Sequence, residues 1–388
     1  MSRLMAALAA CMVLAVACGG SGAPRPDGGS PSLPSPASTP GTAVVPPPAA
    51  SPTPGRPVLE TVVAGARFPV ALAPSPDGRL FYAELETGQV RVVRDGRLLP
   101  EPFASFRVAH PPGYSEHGLL GLALHPDFPR QPYVYVFYTV PDAQGRPQQQ
   151  RVVRLRAEGD RGVEPLTIVD GLPAGPTCCH NGGRLAFGPD GMLYVSLGDA
   201  QAAALAQDPQ RPNGKVLRLA PDGSLPPDNP FPGSAAYALG FRNIFGLAFH
   251  PGTGELFLTD NGPSGRDELN VVRRGANYGW PTVMGRAGDG RFVDPIWESG
   301  SRSTAPTGVA VYWGDALPFR GDLFFCTYLG ERLLRVPAQQ LEEVRAGGRE
   351  TVEPQDTGYP CQLDVKQAPD GSLYFSDTEN IYRLRPGA

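Results

Sequence analysis

One histidine sits where reactive side chains are commonly mounted. It lies in Cys178-Cys179-His180-Asn181-Gly182-Gly183-Arg184-Leu185, just before a glycine pair that leads into a strand, a Pro189-Asp190-Gly191 turn and a second strand, Leu193 to Leu197. A neutral imidazole accepts a proton close to neutral pH, so a histidine at the rim of a sheet suits general-base work. The plain alternative is a turn residue capping a strand edge. Against it, the same strand–turn–strand phrase recurs along the chain, and this copy alone carries the Cys-Cys-His-Asn-Gly-Gly-Arg segment. Two more pairs have chemistry to offer: Arg242-Asn243, a fixed cation beside an amide, and Glu116-His117.

The recurring phrase predicts what positions these residues. Clear copies begin at Ala73-Pro74-Ser75-Pro76-Asp77-Gly78, Ala186-Phe187-Gly188-Pro189-Asp190-Gly191 and Gln367-Ala368-Pro369-Asp370-Gly371. Looser copies begin at Ala123-Leu124-His125-Pro126 and Ala248-Phe249-His250-Pro251, and a degenerate one at Phe319-Arg320-Gly321. Each reads as strand, tight turn, strand, usually with a third strand after it. Six such units predict an all-β fold, a six-bladed β-propeller of four-stranded antiparallel sheets, with no need of a helix. The segment Leu59 to Val63 is expected to join the last sheet and close the ring. In that fold His180, Arg242-Asn243 and Glu116-His117 all precede innermost strands of different blades, so they should converge at one mouth of the central channel.

The 388 residues include 48 Gly and 46 Pro, and 41% are hydrophobic, which suits many short strands around a sizeable core. The net charge of −4, without a Lys/Arg block, argues against nucleic acid or anionic membrane surfaces as partners. Residues 1–18 read as a lipoprotein-type signal peptide: Arg3, an apolar run from Leu4 to Ala17, and Ala15-Val16-Ala17-Cys18-Gly19, in which Cys18 would be the lipidated residue. Residues 19–57 form a Pro/Ser/Gly-rich linker. The propeller then occupies residues 58–388. The expected location is the cell envelope, anchored outside the cytoplasm, or secreted if the lipid site is not used.

Four phrases taken in order resemble the soluble quinoprotein sugar dehydrogenases, the glucose/sorbosone and aldose sugar dehydrogenases. They are Glu116-His117-Gly118-Leu119 to Phe128, His180-Asn181-Gly182-Gly183-Arg184-Leu185, Gly240-Phe241-Arg242-Asn243 to Leu247, and Asn261-Gly262-Pro263 running to Asp267-Glu268-Leu269-Asn270. Asn277-Tyr278-Gly279-Trp280-Pro281 and Ala305-Pro306-Thr307-Gly308 complete the series. The resemblance implies a propeller that binds pyrroloquinoline quinone (PQQ) and calcium and oxidises the C1 hydroxyl of aldose sugars, handing electrons to an acceptor the sequence does not name. It makes His180 the base and Arg242 the cation that stabilises charge on the quinone. Glu116, Asn243 and Cys179 fall at cofactor-contacting positions. Gly262 and Pro263 offer backbone carbonyls to the cofactor's calcium, and Glu268 and Tyr278 match ligands of a second calcium.

Several positions depart from that pattern. Glu116 stands where the family has Gln, and Cys179 where it has an acidic or polar residue. A lysine is missing from Cys326 to Arg332, and two arginines are missing near Cys361-Gln362-Leu363-Asp364-Val365. PQQ carries three carboxylates, so its binding is expected to weaken unless Arg302, Arg332 or Lys366 substitutes. Eroded anchors suit a rival reading, a propeller that has lost PQQ and binds carbohydrate or protein. A calcium-dependent lactonase is a third, since this fold hosts several chemistries.

Four cysteines remain beyond Cys11 and Cys18, an even number in an exported chain. A vicinal Cys178–Cys179 bridge with Cys326–Cys361 is the favoured pairing. Cross-pairing of the two sets stays open, and a zinc site is disfavoured because neighbouring cysteines fit one tetrahedral metal poorly.

Overall fold

The computed structural model describes residues 56–112 and 116–387. The signal peptide and nearly all of the linker lie outside the described residues. Six sheets radiate from a common channel; in five the chain runs outward strand by strand, and in the last the outermost strand comes from the start of the propeller. The innermost strands are Pro69–Pro74, Leu119–Leu124, Leu185–Phe187, Ile244–Phe249, Pro306–Val311 and Val365–Gln367.

The turn phrase explains the repetition. In the third blade Gly188 and Gly191 close the turn by Gly188 N–H to Met192 O at 2.9 Å and Gly191 N–H to Gly188 O at 3.0 Å. Gly191 has φ 73°, a left-handed conformation that glycine adopts without penalty. Each turn feeds a second strand such as Leu80–Glu84, Leu193–Leu197, Leu256–Asp260 or Leu323–Thr327, buried at every position because neighbouring blades cover both faces.

The ring closes as expected. Val58–Ala64 pairs antiparallel with the last strand, Asn380–Arg385, from Val58↔Arg385 to Ala64↔Asn380, with a bulge at Thr61/Val63. Chain start and chain end therefore share one sheet. Two details differ from four plain strands per blade. The first blade has a fifth short strand, Ala104–Ser105, paired with Gln89–Arg94. A helix, Ala338–Arg345, also spans the third and fourth strands of the fifth blade. It follows Pro337, a residue suited to a helix start, and its Ala, Gln, Leu, Glu and Arg residues are good helix formers. No helix among the described residues is long and apolar enough to cross a membrane.

Both favoured disulfides are present, Cys178–Cys179 and Cys326–Cys361. The second ties the second strand of the fifth blade to the segment entering the sixth.

Candidate active site

Three blades bring their leading residues together at one mouth of the channel. Glu116 precedes the innermost strand of the second blade, His180 that of the third, and Arg242-Asn243 that of the fourth. The His180 backbone N–H donates to Glu116 Oε2 at 2.7 Å, and Asn243 Nδ2 donates to both Glu116 carboxylate oxygens at 3.1 Å. Asn181 Nδ2 donates to the Glu116 carbonyl at 2.9 Å. Glu116 thus joins the histidine segment to the amide of Asn243.

Close packing of backbone makes this possible. His180 has φ 68°, a left-handed value uncommon for a residue with a side chain and typical of functional loops. A Cβ on Gly198 would lie 2.3 Å from the His180 carbonyl oxygen, so only glycine lets the neighbouring strand end pass beneath the histidine.

The histidine ring is oriented by an acid that the sequence reading missed. His180 Nδ1 lies 2.7 Å from Asp199 Oδ1, and Asp199 is buried. Asp199 also accepts Gln201 N–H at 2.7 Å and Trp280 Nε1–H at 2.8 Å. A carboxylate on Nδ1 fixes the tautomer with its proton there, leaving Nε2 as the basic nitrogen. Among the described residues Nε2 has no hydrogen-bond partner. The signal was present in Leu197-Gly198-Asp199, an acid where a blade strand ends at the same mouth, but the distance in sequence hid the pairing.

Arg242 stands across the site. Its Nη1 donates to the carbonyls of Asn261 at 2.8 Å and Gly262 at 3.0 Å, and its guanidinium lies 5.6 Å from the centre of the Trp280 ring. Its backbone N–H and that of Asn243 donate to the buried Asp260 carboxylate at 2.9 and 2.6 Å. Burial pushes the Asp260 carboxyl up to about 6 despite those bonds. Burial also raises Glu116 above the ordinary carboxylate range. One side of Glu116 faces a cavity, while protein encloses its carboxyl elsewhere.

That cavity is lined by Phe68, Leu85, Glu116, Phe245, Asn261 and Tyr328, among others, with no lysine or arginine among the described residues that line it. Two expected substitutes are engaged elsewhere: Lys366 bonds Asp364 at 3.1 Å and lines the opposite mouth of the channel, and Arg332 Nε faces Asp356 at 3.7 Å. Arg302 is exposed. Beneath the cavity, however, Arg184 is buried in the channel and donates to the carbonyls of Phe245, Leu363 and Val70, each in or beside the innermost strand of a different blade. Its neighbours Val70, Phe245 and Leu363 also line the cavity. The sequence reading placed Arg184 within a motif but gave it no role.

The residues expected at metal sites are partly together. Gly262 N–H donates to Asp267 Oδ1 at 3.0 Å, and Asp267 Oδ2 accepts Thr304 N–H at 2.6 Å and Ala305 N–H at 2.9 Å, so this carboxylate shapes the loop that carries Gly262 and Pro263. Glu268 is buried against Asn270 Nδ2 at 2.9 Å and Gly285 N–H at 2.6 Å. The Tyr278 hydroxyl bonds Val271 O at 2.7 Å and stacks its ring on Phe241, which engages its side chain apart from Glu268. Among the described residues no group of three His, Cys, Asp or Glu stands ready to hold a metal, so a cation here would rest largely on backbone and amide oxygens.

Residues 66–384 match the profile of the Glucose / Sorbosone dehydrogenase family. A solved structure from Thermus thermophilus, provisionally named as an oxidoreductase (glucose dehydrogenase), is 40% identical, covers 85% of this chain and all of its own, and superposes with a TM-score of 0.74. The PQQ-bound aldose sugar dehydrogenase of Streptomyces coelicolor is 32% identical over 86% of this chain and 99% of its own, with a TM-score of 0.70. Aldose sugar dehydrogenase YliI of Escherichia coli K12 is 29% identical, spanning 81% of this chain and 88% of its own.

Proposed function

Because this chain belongs to the glucose/sorbosone dehydrogenase family, we propose that it oxidises aldose sugars at the C1 hydroxyl to the lactone, using PQQ and calcium. The observation that carries this reading is His180 Nδ1 against Asp199 at 2.7 Å, which leaves Nε2 as a base on the segment whose backbone N–H is held by Glu116, a residue that lines the cavity.

The residues present fit the quinone end of such a cofactor. Asn243 Oδ1 and Asn261 Oδ1 are buried without a hydrogen-bond partner among the described residues, as acceptors awaiting a ligand or cation would be. Asn261 Oδ1, unpartnered among the described residues, and the carbonyls of Gly262 and Pro263, which accept from Arg242 and Ser264 and keep a second lone pair each, are oxygen donors of the kind calcium prefers. PQQ, when bound, supplies the quinone that accepts a hydride, with calcium polarising it. His180 Nε2 takes the C1 hydroxyl proton as the C1–H bond breaks and the C1=O bond forms. Arg242 meets negative charge with a fixed cation, held in place by the Asn261 and Gly262 carbonyls. Glu116 holds His180 by its backbone, and Asp199 stabilises the imidazolium that forms.

The cofactor's carboxylates have fewer partners, because the described cavity walls carry no lysine or arginine. That feature favours the binding-module reading, and PQQ affinity decides between them. We further propose that residues 1–18 export the protein and that Cys18 anchors it, with the linker holding the propeller off the membrane.

The test is titration of the calcium-loaded protein with PQQ, then absorbance as an aldose is added. Saturable binding and quinone reduction, with reduction lost in His180→Ala, support the dehydrogenase. Absence of binding at micromolar PQQ turns the assignment to the binding module.

A further inference from the structure

We propose that the Cys178–Cys179 disulfide positions His180 and Glu116, and that thiol reduction of this bridge switches the site off. A disulfide between adjacent residues constrains almost no loop in the unfolded chain, so it adds little global stability, unlike Cys326–Cys361, which is 35 residues apart in sequence. Its effect is local, and the local contacts are those of the site. Cys178 O accepts Glu116 N–H at 3.1 Å. One residue before the bridge, Thr177 donates through N–H and Oγ1 to Gln201 Oε1 at 3.0 and 2.7 Å, and Gln201 N–H in turn reaches Asp199. One residue after it, His180 donates its N–H to Glu116 Oε2 and gives its carbonyl to Ala200 N–H at 3.0 Å. The bridged peptide therefore fixes both the acid that holds the histidine backbone and the left-handed turn that aims its ring.

Accessibility separates the two bridges. Cys178 and Cys179 are half-buried, whereas Cys326 and Cys361 are fully buried. A small dithiol reaches the first pair: one thiolate attacks a sulfur to form a mixed disulfide, its second thiol closes on that bond, and Cys178 and Cys179 leave as two thiols. Two electrons and two protons pass from the dithiol, which becomes a cyclic disulfide. The freed residues then relax, and the amides of Glu116 and His180 lose their fixed acceptors.

The consequence for turnover rests on the proposed function, while the positioning claim does not. The experiment treats the full chain with increasing dithiothreitol, counts new thiols by alkylation and mass spectrometry, and follows backbone hydrogen exchange alongside aldose oxidation. We expect two thiols, at Cys178 and Cys179, to appear first. Exchange at the Glu116 and His180 amides should then rise at least about tenfold while blade-core amides stay protected. The kcat/KM should fall about 100-fold, as a misplaced base would give. The Cys178→Ser/Cys179→Ser double variant should show the reduced behaviour from the outset and ignore dithiothreitol. Unchanged exchange after the pair opens, or opening of Cys326–Cys361 first, overturns the proposal. If exchange rises but the oxidised protein turns over no sugar, positioning stands and the dehydrogenase reading fails.

Discussion

Glu116 Oε2 accepts the His180 backbone N–H at 2.7 Å, so a carboxyl from the second blade sets the position of the histidine leading into the third. The same carboxyl takes both bonds from Asn243 of the fourth blade. Three blades share one acid.

That acid makes stability depend on pH in a definite direction. Burial raises the Glu116 carboxyl above its ordinary value of 4.5, so the folded state keeps the proton after the unfolded chain has released it. Its contribution is fully present below about 4.5 and is lost as pH rises towards the raised folded value. Glu116→Gln keeps an oxygen acceptor for His180 N–H without the charge. Thermal melts from pH 4 to 8 should show the variant gaining on the wild type as pH rises. Parallel curves would mean the carboxyl is not held up.

Asp199→Asn tests the orientation of the base. The amide matches the carboxylate in shape but removes the charge that stabilises imidazolium and allows the wrong tautomer. We expect kcat to fall at least about 100-fold, with the dissociation constant of PQQ changed only a few-fold. Loss of PQQ binding instead would show that Asp199 serves the fold of the mouth rather than the base.

The fold was legible because the turn phrase repeats: three Pro-Asp-Gly copies and three looser ones each mark a hairpin, and six hairpins leave a ring as the arrangement that covers every sheet. The helix Ala338–Arg345 escaped because it sits on the rim, where no repeat marks it. In the site, His180, Arg242, Asn243 and Glu116 were legible because each leads into an innermost strand, a position the repeat itself defines. Asp199 and Trp280 were not: Asp199 meets His180 only because a hairpin of the same blade folds a residue 19 positions on back beside it, and Trp280 reaches Asp199 from the neighbouring blade, and spacing along the chain encodes neither contact. Lys366 failed as a cofactor anchor for a similar reason: strand alternation and register put its side chain on Asp364, towards the other mouth.

Arg184 is expected to hold the channel together. Its guanidinium serves the carbonyls of Val70, Phe245 and Leu363, which belong to the first, fourth and sixth blades, with its own residue in the third. Arg184→Met would leave those acceptors unpaired in a buried place, where each costs about 1–3 kcal/mol. Urea denaturation should show a loss of at least about 3 kcal/mol, with Arg184→Lys recovering part of it. A loss below about 0.5 kcal/mol, the range of ordinary surface changes, would mean water already satisfies those carbonyls.

Asp267 offers a way to separate calcium affinity from chemistry. Its two oxygens hold Gly262 N–H on one side and the N–H groups of Thr304 and Ala305 on the other, which shapes the carbonyl-bearing loop in advance without directing a charge into the cavity. Removing calcium with a chelator should lower PQQ affinity by at least about tenfold, restored by calcium and poorly by magnesium, whose smaller octahedral shell suits a flexible carbonyl set less well. Asp267→Ala leaves the carbonyl donors in place but unfixes the loop, so binding must order it first. The calcium concentration for half-maximal PQQ binding should therefore rise about tenfold while kcat at saturating calcium stays within about twofold of wild type. A fall in saturating kcat with unchanged calcium demand would place Asp267 with the reacting groups instead of beneath the metal loop.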